Sequence, residues 1–71
     1  MKRIKVESSS IASIGYDRAE LILEVEFTRG AIYQYSEVMP DEIISLLFAD
    51  SIGSYFMRNI KSNYEYEKVR D

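Results

Sequence analysis

The chain has 71 residues, a net charge of −3 and neither cysteine nor histidine. That excludes disulfides, thiolate- or imidazole-held zinc, the most reactive side-chain nucleophile and the usual general base near neutral pH. Its 46% of apolar residues, with six tyrosines and three phenylalanines, suffices to attempt one packed core, at a size near the lower limit for a domain without staples.

Ile4 and Val6 alternate with Lys5 and Glu7, which predicts a short N-terminal edge strand whose lysine suits a solvent-facing position. Ala12–Tyr16 is the next strand, and Asp17-Arg18-Ala19-Glu20 reads as a four-residue turn into Leu21–Phe27. Across that turn Tyr16 is expected opposite Leu21, Ile14 opposite Leu23, and Ala12 opposite Val25. In Leu21–Phe27 the apolar residues Leu21, Leu23, Val25 and Phe27 alternate with Glu24 and Glu26, the pattern of a strand with one wet face.

Thr28-Arg29-Gly30 makes the second turn. A two-residue loop would force Arg29 to positive φ, whereas a three-residue loop puts Gly30 there at no steric cost. The three-residue loop sets Val25 opposite Tyr33 and Leu23 opposite Tyr35. Both tyrosines then fall on the apolar face; a one-residue slip would reverse this.

Pro40 marks a helix start, with Asp41 and Glu42 in the first turn suited to the helix dipole. Ile43, Leu46 and Leu47 recur at helical spacing, with Ile44 and Phe48 expected to widen the stripe that covers the sheet. Ser51 is a good N-cap for a second helix bearing Ile52, Tyr55, Phe56, Asn59 and Ile60 on one face. Gly53 in its first turn points to close packing or a tight bend. Ser62-Asn63 ends that helix, and Tyr64-Glu65-Tyr66-Glu67 reads as a short extended segment with its tyrosines leaning on the body. The expected fold is a single α+β domain over residues 1–71. A three-stranded antiparallel meander, to which the termini can add edge strands, packs against two short helices.

Ser10-Ile11, Ile14-Gly15-Tyr16, Leu23 through Phe27, Gly30 and Tyr33-Gln34-Tyr35 occur in that order. Val38 with Pro40, Ser51 through Phe56, Arg58, Ile60 and Tyr64-Glu65-Tyr66 follow. In these residues the chain resembles the KTSC domain, a short module named for its place at the C-terminus of some lysyl-tRNA synthetases. The resemblance runs from about Ser8 to the final tyrosines. It implies a small stand-alone bacterial or phage protein, with RNA association suggested by the synthetase context. Two positions depart from the family pattern. Met57 stands where a polar Asn is common, which weakens any polar site on that helix. Glu65 stands where a Pro often separates the last tyrosines, which places an acid beside the surface that would meet phosphate.

Three functional readings follow from the residues. The first is a non-enzymatic nucleic-acid module that favours RNA, since rings on a sheet stack bases and cations hold phosphate. Its candidate residues are Arg58 and Lys61, in a stretch free of acids between Asp50 and Glu65, helped by Asn59 and Asn63 and by Tyr33 and Tyr35. Against it stand the net acidity and the register, which turns Tyr33 and Tyr35 toward the core, where tyrosines commonly leave only the hydroxyl at the rim. For Arg58 and Lys61 the plainer reading is a solvated helix face or a bridge to Glu65 or Glu67. The second reading is a protein-interaction or self-associating module using open sheet edges and apolar surface. The third is a Mg²⁺ pair at Glu24 and Glu26, against which a charged outer sheet face is the stronger explanation. No cofactor, metal or membrane partner is expected. With no apolar run of spanning length and no signal peptide after Met-Lys-Arg-Ile-Lys, the expected location is the cytoplasm.

Overall fold

The computed structural model describes residues 1–70. Five strands, β1 (Arg3–Lys5), β2 (Ile11–Asp17), β3 (Ile22–Phe27), β4 (Ile32–Tyr35) and β5 (Tyr66–Arg70), form one antiparallel sheet in chain order. Two helices, α1 (Pro40–Leu47) and α2 (Ile52–Tyr55), lie between β4 and β5, and α2 continues into a π-helical stretch, Phe56–Ile60. The three-stranded meander of the sequence reading understates the sheet, because each terminus adds a full edge strand.

The β3–β4 turn is as expected. Gly30 has φ +106°, Phe27 N–H donates to Ala31 O at 2.9 Å, and Gly30 N–H donates to Phe27 O at 2.8 Å. Val25 pairs with Tyr33 and Leu23 with Tyr35.

The β2–β3 connection is corrected by two positions. Tyr16 pairs with Leu23 and Ile14 with Val25, so the four-residue loop runs from Arg18 to Leu21. Asp17 Oδ1 accepts from Ala19 N–H at 3.0 Å and Glu20 N–H at 3.1 Å, and Leu21 takes φ +59° to close the loop. An even slip keeps every side chain on its face, so the apolar face survives. A bulge between Ile11 and Ser13 then displaces Ala12, and Ile11, not Ala12, enters the core at 1% exposure.

On the inner face Ile14, Leu23, Val25 and Tyr35 pack with Ile43 and Leu46 of α1 and with Phe56 and Ile60 of the π-helical stretch. Ser51 caps α2 by accepting Ser54 N–H at 3.2 Å, as its sequence position predicts. Gly53 packs so closely that a Cβ there would lie 2.8 Å from Ser10 Oγ. The helix stripe is narrower than expected. Ile44, about 100° round the helix from the buried Ile43, is 56% exposed, and Phe48 is 84% exposed because it already lies past the end of α1.

Candidate functional site

Strand alternation and the β3–β4 register deliver Tyr33 and Tyr35 to the inner face, and pairing with β5 sets Tyr66 opposite Tyr35 and Lys68 opposite Tyr33. Between these strands and the π-helical stretch a groove of about 700 Å³ opens. Its floor is aromatic. The Tyr33 and Tyr35 rings lie 6.3 Å apart at 19°, and the Tyr66 ring lies 5.4 Å from Tyr33 and 5.7 Å from Tyr35. Phe27 meets Tyr33 edge-on at 5.7 Å, and Phe56 meets Tyr35 edge-on at 5.3 Å. Such edge contacts each contribute about 0.5–1.5 kcal/mol and hold the tyrosines in place.

The two readings of the tyrosine pair are therefore divided between its members. Tyr35 is a core residue at 3% exposure, Tyr33 is half-buried, and Tyr66 at 59% presents an open ring on the same patch. Lys61 and Arg29 are the charged members of the groove wall, and no carboxylate of the described residues lines it. The Lys68 ammonium lies 5.8 Å from the Tyr33 ring centroid, a cation–π distance.

The residues singled out on the second helix do not all converge here. Lys61 reaches the groove, but Arg58, one helical turn earlier, lines a separate hollow. Asn59 Nδ2 donates to Tyr55 O at 3.2 Å and Asn63 Nδ2 to Asn59 O at 2.7 Å. These amides are turned to their own helix backbone, and neither lines the groove. Among the described residues neither Arg58 nor Lys61 forms the bridge to Glu65 or Glu67 weighed above.

Tyr64, on the groove wall, donates its hydroxyl to Glu42 Oε1 at 2.9 Å, and Tyr55 donates to Glu42 Oε2. Burial, reinforced by the Glu42 carboxylate, pushes Tyr64 up to about 12. Burial, with the neighbouring Tyr33 and Tyr66, pushes Tyr35 up to about 12. Phenols held protonated this firmly bond and stack; they do not serve as bases near neutral pH.

The outer face of the sheet is an ordered polar array. Glu24 is only 6% exposed, contrary to the solvent-facing position expected for it. Arg3 Nη1 donates to its Oε2, and Gln34 Nε2 donates to its Oε1 at 2.7 Å. Burial alone would raise the Glu24 carboxyl, but the bonds from Gln34 and Arg3 outweigh it and lower its pKa. Glu26 accepts from Ser13 Oγ at 2.7 Å and from Arg70 Nη2 at 3.3 Å. Both carboxylates thus serve protein donors, and among the described residues no group of three or more acidic side chains gathers to hold a metal.

Tyr66, Tyr64, Arg29 and Phe27 were missed as groove residues. The alternation of Tyr64 and Tyr66 was the available signal. It gives a strand but not its neighbour, and only pairing with β4 places Tyr66 beside Tyr35.

The KTSC domain family model matches residues 7–64. An uncharacterised protein of Stutzerimonas stutzeri is 46% identical over 70 residues, covering 97% of this chain and 99% of that protein. A crystal structure of a KTSC domain protein from Yersinia pestis superposes with a TM-score of 0.90 at 36% identity, covering 96% of each chain. A lysine–tRNA ligase of Nostoc punctiforme is 32% identical over 66 residues, which are 93% of this chain but 12% of the ligase. No helix among the described residues is long and apolar enough to cross a membrane.

Proposed function

The chain belongs to the KTSC domain family, and from that premise we propose a non-enzymatic binding module whose tyrosine groove takes unpaired RNA. One observation carries the reading: in a chain of net charge −3, the charged residues that line the groove with the open aromatic ring are, among the described residues, the cations Lys61 and Arg29. Aromatic faces stack bases of any sequence, and flanking cations hold the phosphates between them. The similarity to part of a lysine–tRNA ligase supports RNA over duplex DNA, and a shallow groove over a sheet suits a single strand.

The test is affinity for an unstructured RNA oligonucleotide as a function of salt. Single-strand binding should weaken with a log–log slope of about −0.7 per phosphate neutralised, and Lys61→Ala or Arg29→Ala should each flatten the slope by about that amount. Absence of binding at low salt would overturn the reading.

The exposed Ile44 and Leu47 of α1 and Phe48 just past its end, the last 84% exposed, favour a second reading as a protein-interaction or self-associating module. A mass in solution that rises with concentration, and falls back in Phe48→Ser, would support it. A strict monomer that captures no partner would remove it.

A further inference from the structure

Ser10 and Met57 line the tyrosine groove and also a second hollow of about 520 Å³ on their far side, so the two form one track across that saddle. The saddle is fixed by Gly53, whose missing Cβ lets the Ser8–Ser10 segment close onto α2. The chemistry of the second hollow is different. Ser8, Ser9, Ser10, Ser51 and Ser54 line it, with no aromatic ring. The hydroxyls of Ser8 and Ser51 accept backbone N–H groups, whereas those of Ser9, Ser10 and Ser54 bond to no other described residue. Its charges are Glu7, Asp50 and Arg58. Two carboxylates repel phosphate but accept from hydroxyls, and one guanidinium supplies a single phosphate contact.

We infer that the serine hollow is a ribose subsite. An RNA strand lays a base on the tyrosine floor, crosses at Ser10 and Met57, and places the next sugar among the free serine hydroxyls with Arg58 on its phosphate. The inference rests on the groove being a base-stacking site, and it adds sugar selectivity: the 2′-hydroxyl, both donor and acceptor, finds partners that deoxyribose leaves unused. It also gives Arg58, which the tyrosine groove does not use, a place on the same ligand.

The experiment compares RNA, DNA and 2′-O-methyl RNA hexamers of one sequence, and a single nucleotide, on the full chain and its variants. RNA should bind about five- to tenfold tighter than either analogue. Ser9→Ala/Ser54→Ala, both at exposed positions, should erase that preference while leaving DNA affinity unchanged. Arg58→Ala should weaken the hexamers and not the single nucleotide. Without any variant, the Ser9 and Gly53 amide resonances should shift with the RNA hexamer and stay still with the mononucleotide. Equal affinity for RNA and DNA, with shifts confined to the tyrosine groove, would overturn the ribose subsite and leave the stacking site standing. Failure of every oligonucleotide to bind would overturn both.

Discussion

Tyr64 donates its hydroxyl to Glu42 Oε1 at 2.9 Å, tying the groove wall to the first turn of α1. With Tyr55 on the other carboxylate oxygen, Glu42 ties the residue before the π-helical stretch to Tyr64, four residues past its end, and so brackets Lys61 between two anchored phenols. Glu42→Ala leaves two partly buried phenols without their acceptor, and bonds to a charged group contribute about 1.5–3 kcal/mol each. Urea unfolding should show a loss of about 2 kcal/mol; an unchanged midpoint would mean that the carboxylate is idle.

Alkaline titration reads the same region. Tyr35 and Tyr64 titrate near 12 in the folded chain against an ordinary 10.0. The unfolded chain therefore releases these protons first, so stability holds below pH 10.0 and declines as pH rises toward about 12. Absorbance at the phenolate band should show a late-titrating pair, and Glu42→Gln should bring Tyr64 down while leaving Tyr35 in place. Six tyrosines titrating together would contradict the packing described.

At the opposite pH extreme the outer face is informative. Glu24 is buried beneath Arg3 with a lowered pKa, so its contribution is present above the ordinary 4.5 and disappears as pH falls through the lower folded value. Arg3→Ala should cost about 1–2 kcal/mol at neutral pH, less than a fully buried pair because Arg3 is partly exposed. It should also shrink the acid dependence. Equal acid midpoints in the two proteins would refute the pairing.

Much of this architecture was legible in the residues, for reasons of local chemistry. Gly30 settles its turn because no other residue there takes positive φ cheaply, and that one choice fixes the faces of Val25, Tyr33 and Tyr35. Pro40 and Ser51 mark their helices because caps act within one turn. The Asp17 loop slipped by two positions because Asp17 competes for backbone donors that no alternation pattern records. The groove was half legible. Tyr33, Tyr35 and Lys61 were named, but β5 pairs with β4 across about thirty residues of chain, and sequence spacing carries no signal for that neighbour. Arg58 and Lys61 looked like one patch because they stand three positions apart, yet Met57 and Ser10 lie between the hollows that they line.

Gly15 shows the same long-range dependence. A Cβ there would sit 2.7 Å from Lys2 O and 2.9 Å from Arg3 Cγ, so β1 has to move away from β2. Gly15→Ala should destabilise by about 1–3 kcal/mol, as overpacking commonly does, and should detach Arg3 from Glu24. Combined with Arg3→Ala its cost should be less than additive in denaturant unfolding; full additivity would separate the two.

Tyr66 supplies the most direct test of the RNA groove, because at 59% exposure its ring is open to solvent on the edge of the aromatic floor. Titration of wild-type protein and Tyr66→Ala with an unstructured RNA at low salt, followed by intrinsic tyrosine fluorescence, measures what that ring contributes. The account predicts quenching and saturable binding in the wild type, and a loss of about 1–3 kcal/mol of binding free energy in the variant at unchanged stability. Equal affinity in the two proteins, or no binding in either, would contradict it.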